Sequence, residues 1–265
     1  MRAPCWIGTA GWSIPRSSAA AVPGPGTHLQ RHARALSGVE INSSFYRPHR
    51  PSTYMKWAAA VGEGFRFAVK VPKEITHIRR LGAAGEVGAG LDAFLAEATA
   101  LGPRLGPLLV QLPPSLACEP AVARGFFAAL RERCDTAVVC EPRHASWFTP
   151  AAQALLTKFQ VAQVAADPAL TPAAARPGGW DGLVYYRLHG SPTMYRSPYS
   201  SAYLDGLARA LDGHRAAGTP VWCIFDNTAE GAATADALGL LARLEALAVV
   251  LPASKDSGSS PATSA

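Results

Sequence analysis

The residue types in this chain that can do chemistry fall into two sets, spread over its whole length. Glu40, Glu141, Asp167, His189 and Asp226 are carboxylates and an imidazole. Such donors either move protons between themselves or hold Mg, Mn or Zn, so a divalent metal is left open as the cofactor. No HxH or HExxH spacing supports a pre-set zinc site. Lys70, Arg143 and Arg187 are cations suited to an anion, and the stretch through Asn227, Thr228 and Gly231 leads into a helix whose free N–H groups could add to that attraction. Without a metal, Glu141 is expected to act as base and His189 as acid, with Glu40 orienting them or serving as a second carboxylate. A small anionic molecule is therefore the expected partner, and hydrolysis of a phosphoester the expected reaction, while enzymatic activity as such is left open.

Further residues are expected to line the same place. The amides of Asn42, Gln111 and Asn227 can bond a ligand, and Trp147, Tyr195 and Tyr199, with Trp12, Phe45 and Tyr46, are expected at the rim, where aromatic rings stack on a sugar or base. Asp226 and Asn227 are adjacent in an extended run and must face opposite ways, so one of them joins the set. Ser191 to Ser200 reads equally as a lid or as a fixed loop. His28, His32, His49, His77 and His214 read as surface or loop residues, and His144 as a group that orients its strand.

These residues must be brought together by elements far apart in the chain. Short β-type runs recur at Trp6 to Trp12, Gly38 to Tyr46, Phe65 to Pro72, Leu108 to Pro113, Thr136 to His144, Val161 to Asp167, Leu183 to Gly190 and Pro220 to Asn227. Helical segments are expected between them at 27–37, 51–61, 90–101, 119–133, 149–158 and 200–217, with a last one at 232–247. Alternation of this kind gives a parallel sheet with right-handed crossovers, and eight units favour closure into a (β/α)8 TIM-type barrel, which leaves no exposed edges. An open doubly wound sheet is the alternative. Pro168 to Asp181, with three prolines and Gly178-Gly179, predicts a unit without a regular helix after strand six.

Alternation along each strand then selects the inward face. Val39 and Ile41 leave Glu40 and Asn42 pointing into the barrel, as Phe67, Val69 and Val71 leave Lys70, and Leu108, Val110 and Leu112 leave Gln111. Glu141 with Arg143, Gln163 with Asp167, and Arg187 with His189 are likewise read as inward pairs. Charges buried without partners cost several kcal/mol or more, so such a set must be paired or hydrated at a mouth. Barrel enzymes assemble their sites at the C-terminal strand ends, where these residues stand. A ring of ion pairs that merely plugs the barrel is the bland alternative, and a non-catalytic metabolite-binding barrel is another.

With 265 residues, 49% of them hydrophobic and 17% charged, the chain can bury one large core, expected over 1–252, with a disordered tail over 253–265. The formal charge of +6 is carried by dispersed arginines, which does not favour nucleic acid over a small anion. The five scattered cysteines show no CxxC spacing and read as reduced thiols. No run of about 18 apolar residues occurs, and no secretory leader is recognised, so a cytoplasmic location without membrane contact is expected.

The motifs Gly-Thr-Ala-Gly-Trp-Ser (8–13), Val-Glu-Ile-Asn-Ser-Ser-Phe-Tyr (39–46), Phe-Ala-Val-Lys-Val-Pro (67–72), Gln-Leu-Pro-Pro-Ser (111–115), Glu-Pro-Arg-His-Ala-Ser-Trp (141–147), Arg-Leu-His-Gly (187–190) and Phe-Asp-Asn-Thr (225–228) together resemble the YecE-like family, domain of unknown function 72. The resemblance runs from Trp6 to about Leu251 and implies a TIM-type barrel without assigning a reaction. The Pro-, Ala- and Gly-rich stretch from Ile14 to Gly26 departs from what a pocket-bordering loop would need. A glycosidase or sugar isomerase remains a further alternative, although Gln111 and His189 stand where the commonest barrel glycosidases would carry carboxylates.

Overall fold

The structure, a computed structural model, describes residues 2–82 and 84–250. The expected tail at 253–265 lies outside the described residues. The strands are β1 (Cys5–Ala10), β2 (Gly38–Ile41), β3 (Arg66–Lys70), β4 (Leu105–Gln111), β5 (Val138–Glu141), β6 (Val161–Gln163), β7 (Ala165–Asp167), β8 (Gly178–Gly179), β9 (Val184–Leu188) and β10 (Val221–Phe225). The helices are α1 (His28–Ala35), α2 (Ser43–Tyr46), α3 (Pro51–Ala59), α4 (Ala84–Ala98), α5 (Pro120–Arg131), α6 (Pro150–Lys158), α7 (Ser201–Ala216) and α8 (Ala232–Val250).

The strand order is β7-β9-β10-β1-β2-β3-β4-β5-β6-β8, and the neighbours from β7 through to β6 are parallel. β6 and β7 are two halves of the expected sixth strand, interrupted at Val164, whose N–H donates to the Cys140 carbonyl at 2.8 Å. The first half bonds to β5 and the second to β9, so this one stretch nearly closes the sheet into a TIM-type barrel. After it comes no helix. Gly178 and Gly179 instead add a short antiparallel pairing to β6, as the prolines and glycines of that segment predict.

Local chemistry sets the other boundaries. Thr27 and Gln30 form a reciprocal cap on α1, Ser200 and Thr149 cap α7 and α6, and proline opens α3, α5 and α6. Strand two ends at Ile41, not Tyr46, because the chain turns into α2, where the Ser44 hydroxyl reaches the carbonyls of Ile41 and Lys70. Strand five stops at Glu141, short of His144, which instead caps a 3-10 turn through Ser146.

Three apolar clusters share the burial. One lies between β2 to β6 and their helices, one between β1, β9, β10, α7 and α8, and one fills the barrel with Ala68, Leu109, Val139, Ala162, Val164, Tyr185, Trp222 and Ile224. Glycines make room for the large rings at the N-terminal end. A Cβ on Gly106 would lie 2.5 Å from the Trp222 ring, and one on Gly8 would lie 2.0 Å from the Gly38 carbonyl oxygen.

Candidate functional site

Above the apolar filling, the next inward positions toward the strand C-termini are ionic. Glu40, Lys70, Gln111, Glu141, Arg187 and, one step beyond the strands, His189 and Asp226 are all buried. Arg187 is the hub. Its Nε lies 3.1 and 3.0 Å from the two Glu40 oxygens, Nη2 lies 2.7 Å from Glu40 Oε1 and 3.0 Å from Asp226 Oδ2, and Nη1 lies 3.0 Å from Glu141 Oε2. The Tyr185 hydroxyl donates to Glu40 at 2.9 Å. Tyr185 shares Arg187's face of β9, so parity could have revealed this partner.

His189 bridges the other two acids, with Nδ1 3.0 Å from Asp226 and Nε2 3.1 Å from Glu141. Glu141 Oε1 also accepts from Gln111 at 3.2 Å and from Arg143 Nε at 2.8 Å. Burial opposes charge on His189, but Glu141 and Asp226 outweigh it and raise its pKa. Burial likewise works against charge on Glu141 and Asp226, yet Arg187, His189 and the neighbouring cations hold both below the usual carboxylate range. A carboxylate engaged by two arginines is a poor base, and an imidazole whose two nitrogens each lie within hydrogen-bond distance of a carboxylate has none left for a substrate. The expected acid and base are thus brought together in one network that engages them fully.

The same network bears on metals. Arg187 occupies the space between Glu40, Glu141 and Asp226 where a divalent ion would have to sit. Among the described residues no group of three or more His, Cys, Asp or Glu side chains is placed to hold one.

Lys70 differs from its neighbours. Its side chain is buried, with 7% of the residue exposed, and among the described residues it has no ion-pair partner; Nζ lies 4.1 Å from the centre of the Phe45 ring. Burial and the Arg187 charge pull its pKa down to about 8, against the pull of Glu40, Glu141 and Asp226. Arg143 is 21% exposed, pairs with Glu141 through Nε, and has Nη2 3.4 Å from His189 Nε2. His77, read from sequence as a surface or loop residue, belongs to this rim. It sits in a π-helical turn (Glu74–Ile78), packs edge-on against Phe45, and has its pKa lowered by burial and then by Lys70 and Arg143. Its position after strand three, five residues beyond Pro72, was the available signal.

Several expected ligand contacts lie elsewhere. Asn227 faces away from the barrel, and its Nδ2 donates to the Ser197 carbonyl at 2.9 Å and to Asp236 at 2.7 Å; Asp226 takes the inward position. Trp147 is buried in the outer core with Nε1 on the Leu116 carbonyl, so it is not at the rim. Tyr199 is also buried, stacked on Tyr203, with its hydroxyl between Asp167 and the Gly190 N–H. Trp12 packs on Trp57 and Phe67 outside the barrel. Gln163 and Asp167 point outward, because the inward residues of that stretch are Ala162 and Val164; Gln163 satisfies the Ala173 and Arg176 carbonyls of the segment that replaces a helix. Asn42 keeps the inward place in sequence, and its Oδ1 is buried without a hydrogen-bond partner among the described residues.

Tyr195 does reach the site. It is 39% exposed, stands edge-on to His189 with centroids 5.6 Å apart, and has φ +67°. The loop that carries it is tied down by Tyr195 N–H on the His189 carbonyl, Ala229 N–H on the Tyr195 carbonyl, and the Arg196–Glu230 pair. A cavity of about 230 Å³ opens beside Arg143 and His189, walled by Pro114, Leu170 and Met194.

A family model described as "Protein of unknown function DUF72" matches residues 6–259. The chain belongs to the DUF72 family. It is 30% identical over 108 residues to the UPF0759 protein YecE of Escherichia coli K12, a match covering 41% of this chain and 37% of that protein. Two solved DUF72 structures share its fold. One, from Enterococcus faecalis V583, gives a TM-score of 0.75 at 21% identity over 91% of this chain and 95% of that one. The other, from Thermotoga maritima MSB8, gives 0.74 at 22% over 91% and 99%. The family carries no assigned reaction in its description, so function rests on the site. No helix among the described residues is long and apolar enough to cross a membrane.

Proposed function

We propose that this DUF72 protein binds a small anionic molecule at the rim of its barrel, with Lys70 and Arg143 supplying the charge. One observation carries the reading. Arg187, Arg143 and His189 each contact Glu40, Glu141 or Asp226, whereas Lys70 is a buried cation with no ion-pair partner among the described residues. A buried charge without a counter-charge is costly, and an anion arriving beside it removes that cost. Arg143 presents a planar fork suited to carboxylate or phosphate oxygens, and its partial exposure leaves part of that fork within reach.

Phosphoester hydrolysis by Glu141 and His189 gains no support from the geometry, because both groups are committed to ion pairs. A binding barrel and an enzyme therefore share the same anion contact and differ in what Lys70 does. The test is a thermal-shift titration with inorganic phosphate and small carboxylates. A ligand selective for the native state raises apparent stability as ln(1 + [L]/Kd). Stabilisation that Lys70→Ala removes is the expected result, and no shift with any anion would refute the reading.

A further inference from the structure

We infer that the cavity where the loop after β1 faces the N-terminus of α8 is a second anion site, which takes the phosphate group of a small phosphomonoester. It is lined neither by Lys70 and Arg143 nor by the buried ion network, and so goes beyond the reading above.

The cavity holds about 300 Å³ and is walled by three elements. Thr9 and Ser13 come from the end of β1 and its loop, Thr228 from the loop after β10, and Thr234 from the first turn of α8. Thr234 is the residue that points to a ligand. It is 3% exposed and lines the cavity, yet its hydroxyl has no hydrogen-bond partner among the described residues. A buried hydroxyl left unmet is costly, and a guest that meets it removes that cost. The Thr234 backbone N–H also lacks an acceptor, as the opening turn of a helix leaves it. The Thr9 hydroxyl is spent on the Gly11 carbonyl, whereas those of Ser13 and Thr228, like that of Thr234, have no partner among the described residues.

The charge of the guest follows from these walls. No acidic side chain lines the cavity. The acids nearest in sequence are engaged elsewhere: Glu230 pairs with Arg196 at 2.6 Å, and Asp236 accepts from Asn227 Nδ2 and the Tyr199 N–H. What remains is a set of hydroxyls at the positive end of a 19-residue helix, donors that suit an oxyanion. No arginine fork is there to match a planar carboxylate, whereas donors from three elements can meet the spread oxygens of a tetrahedral phosphate. Gly231 lets two of the walls approach, because at φ +82° a Cβ there would lie 2.7 Å from Pro15 Cβ. Gly11, at φ +81°, has open space where its side chain would be, which leaves room for the organic group of an ester.

The experiment titrates the isotope-labelled full chain with inorganic phosphate and follows its backbone amides by NMR, with acetate as the planar comparison. Saturable shifts at Gly231, Ala233 and Thr234 are expected, with the same affinity in Lys70→Ala and an affinity about tenfold to a hundredfold weaker in Thr234→Val and Thr228→Val. The ligand-free Thr234→Val chain should melt no lower than the wild type, since the lost hydroxyl had no partner. Four results overturn the inference: no saturable shift at these amides, shifts that both valine variants leave unchanged, equal affinity for acetate, or a ligand-free Thr234→Val chain that melts well below the wild type. The two anion readings separate in the same data. Phosphate shifts near Lys70 and Arg143 with none at α8 keep the rim reading and remove this one; shifts at α8 alone, kept in Lys70→Ala, do the reverse.

Discussion

Arg187 meets Glu40 side-on inside the barrel, through Nε at 3.1 and 3.0 Å and Nη2 at 2.7 Å, with 1% and 0% of the two residues exposed. The same guanidinium holds Glu141 and Asp226. Removing it strands three acids in a dry layer, and breaking one partner out of a buried ion pair costs about 3–5 kcal/mol. Arg187→Met should lower the unfolding free energy by at least that much in denaturant titration. A loss under about 1 kcal/mol would mean that water already reaches the layer.

His189 supplies a pH signature. Because its pKa is raised above the ordinary 6.5, its contribution is complete below that value and fades as pH climbs through the folded-state value. The stability gap between the wild-type chain and His189→Gln, followed from about pH 5 to 8, should therefore narrow as pH rises. A gap that widens with pH would show that the imidazole is held neutral.

Lys70→Ala and Arg143→Ala should each weaken binding of the stabilising anion. A charge-assisted contact is worth roughly 1.5–3 kcal/mol, or about tenfold to a hundredfold in Kd. Calorimetric titration reads this directly, and equal affinity in both variants would place the anion elsewhere.

Asn227 ties the 190–199 loop to α8 through Ser197 and Asp236. Asn227→Ala leaves those acceptors short of a donor and should cost about 1–3 kcal/mol. It should also speed proteolysis within the loop while leaving anion affinity in place. A ligand contact would give the opposite pattern.

At the other end of the barrel, Gly106→Ala should destabilise by about 1–3 kcal/mol, the usual penalty of overpacking, because the new methyl meets Trp222 at 2.5 Å. Trimming the ring with Trp222→Leu should make the two changes non-additive in a double-mutant cycle. Additivity would show that the backbone, not the ring, yields.

The fold was legible because period-two alternation is strong in these strands. Val39, Phe67, Val69, Leu108 and Val110 face the helices, so Glu40, Lys70 and Gln111 had to face inward. That logic misplaced Gln163 and Asp167, where polar residues find partners outside the wall: loop carbonyls for one, the Tyr199 hydroxyl for the other. Alternation reports which face a residue takes, not what satisfies it. It equally could not tell that the Trp147 indole nitrogen, the Tyr199 hydroxyl and the Asn227 amide nitrogen are spent on holding loops. Nor could it single out Lys70, whose distinction is an absent partner.

The break at Val164 separates two duties that an ordinary barrel unit combines. The strand halves keep the wall joined, while the helix-free stretch behind them contributes Pro168, Leu170 and Ala174 to the cavity beside Arg143. Substitutions in that stretch can reshape the chamber without disturbing the packed interior, so selectivity for one guest over another has a place to change where foldability is not at stake.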